Sequence, residues 1–347
     1  MKQGHQLFIF ICLLISILWA VPSGALAAGQ TSVKAAQPVK VFYFKDTDTA
    51  RTSLYKNYKS IDILAPQAYS VDDTGALAGG IDQNILNFIK IKKMKVMPLV
   101  TNKGFSQSFA NAILDDSNKQ DLVIEALTAE ALHQGYVGWQ VDFEGMRADY
   151  RDKFSAFIRR LGEAMKARNL AFSVAVIAQT SDKPADYPND LWNRVIGAYD
   201  YAALASYVDF ISVMSYDDPM SKGPVARYGW LQLVIDYSLK YIPAEKISLG
   251  IPLYYWKWDD ALGKLVSIGG NTGVQIALKK KTAKTGYDTV HEAPYIKYTE
   301  QKKKYTVWYE NGRSVSKKVE LIKNYNLLGL SAWVLGSEGP SVFPIFK

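Results

Sequence analysis

Apolar and polar positions fall in blocks along this chain rather than evenly. Eight short runs rich in Val, Ile, Leu and aromatic residues recur at residues 39–44, 61–69, 95–101, 139–144, 171–178, 210–216, 247–254 and 327–335. None alternates strictly, as a half-exposed strand would. Runs of this kind suit parallel strands covered on both faces. The segments between them carry helical spacing. After the fourth run, Phe154, Phe157, Ile158, Leu161 and Met165 share one helical face. Lys166 and Arg168 sit where cations favour a helix end, and Asn169 is placed to close it. Eight strand–helix units predict an α/β fold, a (β/α)8 TIM barrel, with functional residues gathered at the C-terminal ends of its strands.

One segment breaks the repeat. Residues 259–320 are too many for a single crossover between the seventh and eighth strands. Within them, Thr306-Val307-Trp308-Tyr309 followed by Glu310-Asn311-Gly312 reads as a strand and a turn. A small α+β insertion is expected there, partly walling the cleft.

The N-terminus has a different pattern. Lys2 precedes an apolar run at residues 7–21, and Ala25-Leu26-Ala27 offers a small-residue cleavage site. The run is short for a membrane span. The expectation is a signal peptide at 1–28, a polar linker at 29–38 and a barrel at 39–347, secreted and cell-wall-associated. The single cysteine, Cys12, lies in the leader, so the mature chain needs no disulfide. Net charge is +8. That excess is modest, which fits attraction to an anionic cell wall better than a nucleic-acid site. The lysine runs at 279–281 and 302–304 read first as solvated faces of the insertion, with attraction to the wall as the lesser reading. The mature part holds only His133 and His291, which make neither a metal cluster nor a histidine-based triad. Asp46-Thr47-Asp48 lacks the remaining spacing of a calcium loop. No cofactor or metal is expected, and a monomer is.

The fourth run carries the candidate chemistry. On a strand, Gln140, Asp142 and Glu144 share one face and Trp139, Val141 and Phe143 the other. Three polar groups in a row on a buried strand are costly unless they are paired or used.

Residues 137–144 resemble the signature of family-18 glycoside hydrolases, Asp-Gly-x-Asp-x-Asp-x-Glu. Asp142 and Glu144 match, while Val137 and Gln140 stand where that family has Asp. Other stretches extend the resemblance over about residues 39–343. Ile63-Leu64-Ala65-Pro66, Tyr69-Ser70-Val71-Asp72 and Pro98-Leu99-Val100-Thr101-Asn102 are similar to the branch that includes spore-cortex and cell-wall glucosaminidases. Met214-Ser215-Tyr216-Asp217 matches the family's Met-x-Tyr-Asp motif, and Gly250-Ile251-Pro252-Leu253-Tyr254 resembles its seventh strand. Trp333-Val334-Leu335-Gly336 is similar to the eighth.

The resemblance implies a substrate-assisted, retaining hydrolysis, an exception to the two-carboxylate scheme. The sugar's 2-acetamido oxygen attacks its own anomeric carbon. Glu144 protonates the leaving oxygen and later activates water. Asp142 holds the acetamide N–H, and Tyr216 hydrogen-bonds the acetamide oxygen. Asp217 supports the same wall, and Trp333 forms the floor. Gln140, Tyr254, Tyr69 and Asn102 complete the candidate substrate-binding set. The implied substrate is a polysaccharide, peptidoglycan or chitin-like, cleaved at β-1,4 bonds next to N-acetylglucosamine. The alternative is a sugar-binding, non-catalytic lectin on the same fold. Retention of the acid favours the enzyme. Asp142 and Glu144 could also be inert barrel residues, Tyr216 and Asp217 an ordinary strand-end pair, and Trp333, Tyr254 and Tyr69 core. Asn102 could line the cleft or cap a turn.

Overall fold

The computed structural model describes residues 37–346. The expected signal peptide and most of the linker lie outside them. Eight parallel strands form the barrel: β1 (Val39–Phe44), β2 (Ile63–Val71), β3 (Leu99–Asn102), β4 (Gly138–Asp142), β5 (Ala171–Ile177), β6 (Phe210–Met214), β7 (Ile247–Pro252) and β8 (Gly329–Trp333). Each pairs with its neighbour in sequence, and β8 pairs with β1 through Val39↔Gly329, which closes the sheet. Helices run between the strands, among them Asp48–Asn57, Gln83–Lys92, Ser117–Gln134, Arg151–Lys166, Tyr228–Ser238 and Gly312–Asn324.

The period-two rule sorts the side chains of β4. Trp139, Val141 and Phe143 face the helices. Trp139 Nε1 donates to the Leu127 carbonyl at 2.7 Å, and Phe143 stacks on Phe157 at 5.8 Å between ring centroids. The five apolar residues expected on the helix Arg151–Lys166 are all fully buried. Asn169 ends that segment at φ +54°, in the left-handed conformation that Asn tolerates better than most residues. On the other side of the sheet, Val41, Tyr43, Ala65, Met97, Leu99 and Phe210 fill the barrel interior. Gly138 opens β4 because no side chain fits there. A Cβ would stand 1.7 Å from the Ala171 carbonyl oxygen of β5.

Several strand ends differ from the expected ones. The third run divides into Lys95–Val96 and β3, with Pro98, which has no N–H to give to a ladder, at the break. β4 ends at Asp142, so Glu144 stands two residues beyond the strand. The insertion is a five-stranded antiparallel sheet, Tyr255–Asp259, Lys264–Gly269, Lys284–Asp288, Ala293–Glu300 and Lys303–Trp308, with the helix Asn271–Leu278 packed on it. It therefore starts and stops earlier than 259–320, because Gly312–Asn324 is the crossover helix leading into β8. That helix is anchored by a buried ion pair, Lys318 Nζ at 2.8 Å from both carboxylate oxygens of Glu310.

Candidate active site

The C-terminal ends of the strands open into a cavity of about 400 Å³. Asp142 comes from the end of β4, Glu144 from the turn after it, and Tyr216 and Asp217 from the loop after β6. Trp333 is the last residue of β8, and its ring packs on Tyr43 of β1 at 5.2 Å. All five line this cavity, alongside the apolar Ile177, Leu191, Val195 and Trp230.

Asp142 is buried and its Oδ1 has no hydrogen-bond partner. Burial, and then the charge of Glu144, push its carboxyl well above the usual range. Glu144 is half-buried and also raised, by burial first and by the charge of Asp217 second. The Asp217 carboxyl is raised by its enclosure, and the Tyr254 hydroxyl, donating to Oδ1 at 2.6 Å, pulls it back. Asp217 still reaches solvent at the cavity mouth, so its field on Glu144 is partly screened. Three carboxyls lining one cavity, one of them buried, cannot all ionise cheaply. The arrangement keeps a proton available on an acid facing the cavity.

The turn that carries Glu144 is clamped from two directions. The Asn102 side chain accepts from the Glu144 N–H at 2.9 Å and donates to the Glu144 carbonyl at 2.9 Å. The same amide donates to the Ser106 carbonyl at 2.9 Å, tying down the segment that carries Phe105 to the cavity rim. On the other side, the buried Tyr199 hydroxyl donates to the Phe143 carbonyl at 2.7 Å. Gly145 then passes so close to the Phe105 carbonyl oxygen that a Cβ would lie 2.7 Å from it.

Asn102 therefore holds the acid's backbone and does not line the cavity. Tyr254 likewise sits behind Asp217. Gln140 lies deeper, inside the barrel. Its Oε1 accepts from the Tyr43 hydroxyl at 2.7 Å, and its Nε2 donates to Ser173 and Ser212 at 2.8 and 2.9 Å. Ser331 links Ser212 to Ser248 and extends this polar layer across the barrel. Gln140 makes no hydrogen bond to Asp142 and does not line the cavity, so it stands outside the substrate-binding set expected to include it. Every polar atom of its amide is used below the site.

Tyr69 is misplaced in the candidate set. A bulge in β2 leaves Ala68 without a partner, as Gln67 pairs with Leu99 and Tyr69 with Val100. The extra residue turns Tyr69 outward, where its hydroxyl meets Glu130 and Tyr136 at 2.8 Å. Gln67 lines the cavity in its place. Lys45, Phe105 and Trp230 also line it and were not singled out from the sequence. The signal for Gln67 was present, since it stands two residues from the inward Ala65.

A family model described as glycosyl hydrolases family 18 matches residues 40–338. The chain belongs to that family. Among curated relatives, an uncharacterized glycosylase, YvbX, of Bacillus subtilis is 28% identical over 356 aligned positions, covering 100% of this chain and 99% of its own length. A cortical fragment-lytic enzyme of the same species is 27% identical, over 80% of this hydrolase and 65% of its own length. Among solved structures, a chitinase from Chromobacterium violaceum superposes with a TM-score of 0.80 at 27% identity, over 89% of this chain and 98% of its own. The spore cortex-lytic enzyme SleL of Bacillus megaterium gives 0.78 at 25% identity, over 89% and 73%. The family-18 chain is accordingly a glycoside hydrolase related to chitinases and cortex-lytic enzymes, and a polysaccharide is its substrate.

Proposed function

We propose that this chain cleaves β-1,4 bonds next to N-acetylglucosamine with retention of configuration, using the substrate's acetamide as nucleophile. The observation that carries the reading is Asp142 beside Glu144 at the mouth of β4. One is buried with an oxygen unpartnered, and the other is half-buried in the same cavity. Glu144, kept protonated by burial and by neighbouring charge, gives its proton to the leaving oxygen. Asp142, once charged, has a free oxygen for the acetamide N–H and for the positive charge that develops as the ring forms. Tyr216 holds the acetamide oxygen on line. Trp333 supplies the apolar floor against which a sugar ring stacks.

Peptidoglycan, including spore cortex, is the first substrate in this reading and chitin-type glycan the second. The names of the cortex-lytic relatives support that order. Export to the cell wall belongs to the same reading, supported by the leader-like pattern of residues 1–28. Product analysis on peptidoglycan fragments and on chitin oligomers tests it, with Glu144→Gln as control. The variant should bind and not cleave. De-N-acetylated glycan should resist the wild type, and its cleavage at an equal rate would refute substrate assistance. Binding without turnover in the wild type would establish the lectin alternative.

A further inference from the structure

Two lysine runs, distant in sequence, meet at one tip of the insertion sheet. Residues 255–308 hold ten lysines, no arginine and five Asp or Glu, so this small unit supplies +5 of the chain's +8. The hairpin pairs Glu300 with Lys303 and Thr299 with Lys304. The segment after the helix Asn271–Leu278 is stitched to that hairpin. Thr282 Oγ1 accepts from the Thr299 N–H at 2.7 Å and donates to the Thr299 carbonyl at 3.0 Å, while Lys280 Nζ reaches Glu300 at 2.5 Å. Lys279, Lys281, Lys284, Lys302, Lys303 and Lys304 are thereby gathered at one end, all exposed. Among the described residues, none of the six pairs with a carboxylate.

Two features of the tip work against stability. Lys284 stands directly opposite Lys297 across the strands, and like charges in that position repel. The hairpin turn places Gln301 and Lys302 at φ +49° and +62°. Turns of this shape favour Asn-Gly, and a Lys there is strained. An ordinary solvated face would mix the signs of its charges.

We propose that this tip docks a linear polyanion carrying one phosphodiester per repeat, so that the insertion tethers the hydrolase while the barrel works. Lysine ammoniums are point charges on flexible stems, without the planar fork with which Arg fixes a carboxylate or phosphate in one register, which suits the evenly spaced charges of a flexible phosphodiester chain. A nucleic acid fits less well. The tip's Tyr305 has Lys257 Nζ over one face at 4.0 Å from the ring centroid and packs on the buried Tyr298 at 5.5 Å, so neither ring is set out as a stacking platform for a base.

The test is binding of polyglycerol phosphate to the exported form of the chain, titrated in rising NaCl. Two triple variants are compared with it, Lys302→Gln/Lys303→Gln/Lys304→Gln and Lys279→Gln/Lys281→Gln/Lys284→Gln. Each should bind about tenfold or more weakly than wild type at low salt, with a log–log salt slope shallower by roughly two to three. Hydrolysis of a short soluble glycan should be unchanged in both. Equal binding by wild type and variants would overturn the proposal. So would tighter binding of duplex DNA or polyglutamate than of polyglycerol phosphate. The binding readout needs no turnover, so it stands or falls separately from the reading of the active site.

Discussion

Asn102 is where the structure makes its sharpest demand. Its amide makes three hydrogen bonds of 2.9 Å, two of them to the backbone of Glu144. Replacing it with Ala leaves one N–H and two carbonyls without these partners, in a place where the side chain itself was fully buried. A buried orphan costs about 1–3 kcal/mol, and a half-buried one recovers part of that from water. Asn102→Ala should therefore lose about 3 kcal/mol of stability. The Glu144 turn also loses one of its two clamps. A displacement of about 1 Å in a reacting group costs on the order of a hundredfold, so kcat should fall roughly ten- to a hundredfold with KM changed much less. Asn102→Asp is the sharper variant. It keeps the volume and sets an oxygen against the Ser106 and Glu144 carbonyls. As an anion it also raises the Glu144 pKa, moving the alkaline limb of the rate profile upward. Urea unfolding with steady-state kinetics on a soluble glycan checks all of this. An Ala variant within about 0.5 kcal/mol of wild type and with its kcat intact would show that the clamp is ornamental.

Three further outcomes follow from the same geometry. Asp217→Asn removes a charge that raises Glu144, so the protonated acid should be lost at a lower pH and the alkaline limb of kcat should move down; an upward move contradicts the assignment. Asp142→Asn should stabilise the fold near neutral pH and not below about pH 4. The folded carboxyl titrates above the unfolded one, so wild type loses stability as pH rises between those values, at about 1.4 kcal/mol per unit of separation; denaturant midpoints at the two pH values decide it. Lys318→Met strands Glu310 in the interior and should cost about 3–5 kcal/mol, whereas Lys318→Met with Glu310→Leu should recover most of the loss; a double variant as unstable as the single would refute the pairing.

The departure at Gln140 also has a structural meaning. In a polar layer where Tyr43 donates and two serine hydroxyls accept, an amide satisfies all three partners at once. A carboxylate has no hydrogen to give to Ser173 or Ser212, so those hydroxyls would have to turn and donate instead. The change is thus one of hydrogen-bond direction in the barrel interior, below the orphaned Asp142 oxygen.

What the chain determined by itself was everything that depends on near neighbours. Eight apolar runs, the buried stripe from Phe154 to Met165, and the two-residue spacing of Asp142 and Glu144 are local periodicities. A strand or helix displays them wherever it sits. The tertiary structure alone decided which of those positions meet. A single unpaired residue at Ala68 reversed the facing of Tyr69 and took it away from the cavity, and no local pattern announces a bulge. Asn102 grips Glu144 across 42 positions, and Tyr199 grips Phe143 across 56. Two lysine runs that look like separate solvated faces become one charged tip when a threonine stitches them together. Each of these joins residues far apart in the chain, and side-chain period carries no record of a partner that only closure of the barrel or pairing of the insertion sheet brings near.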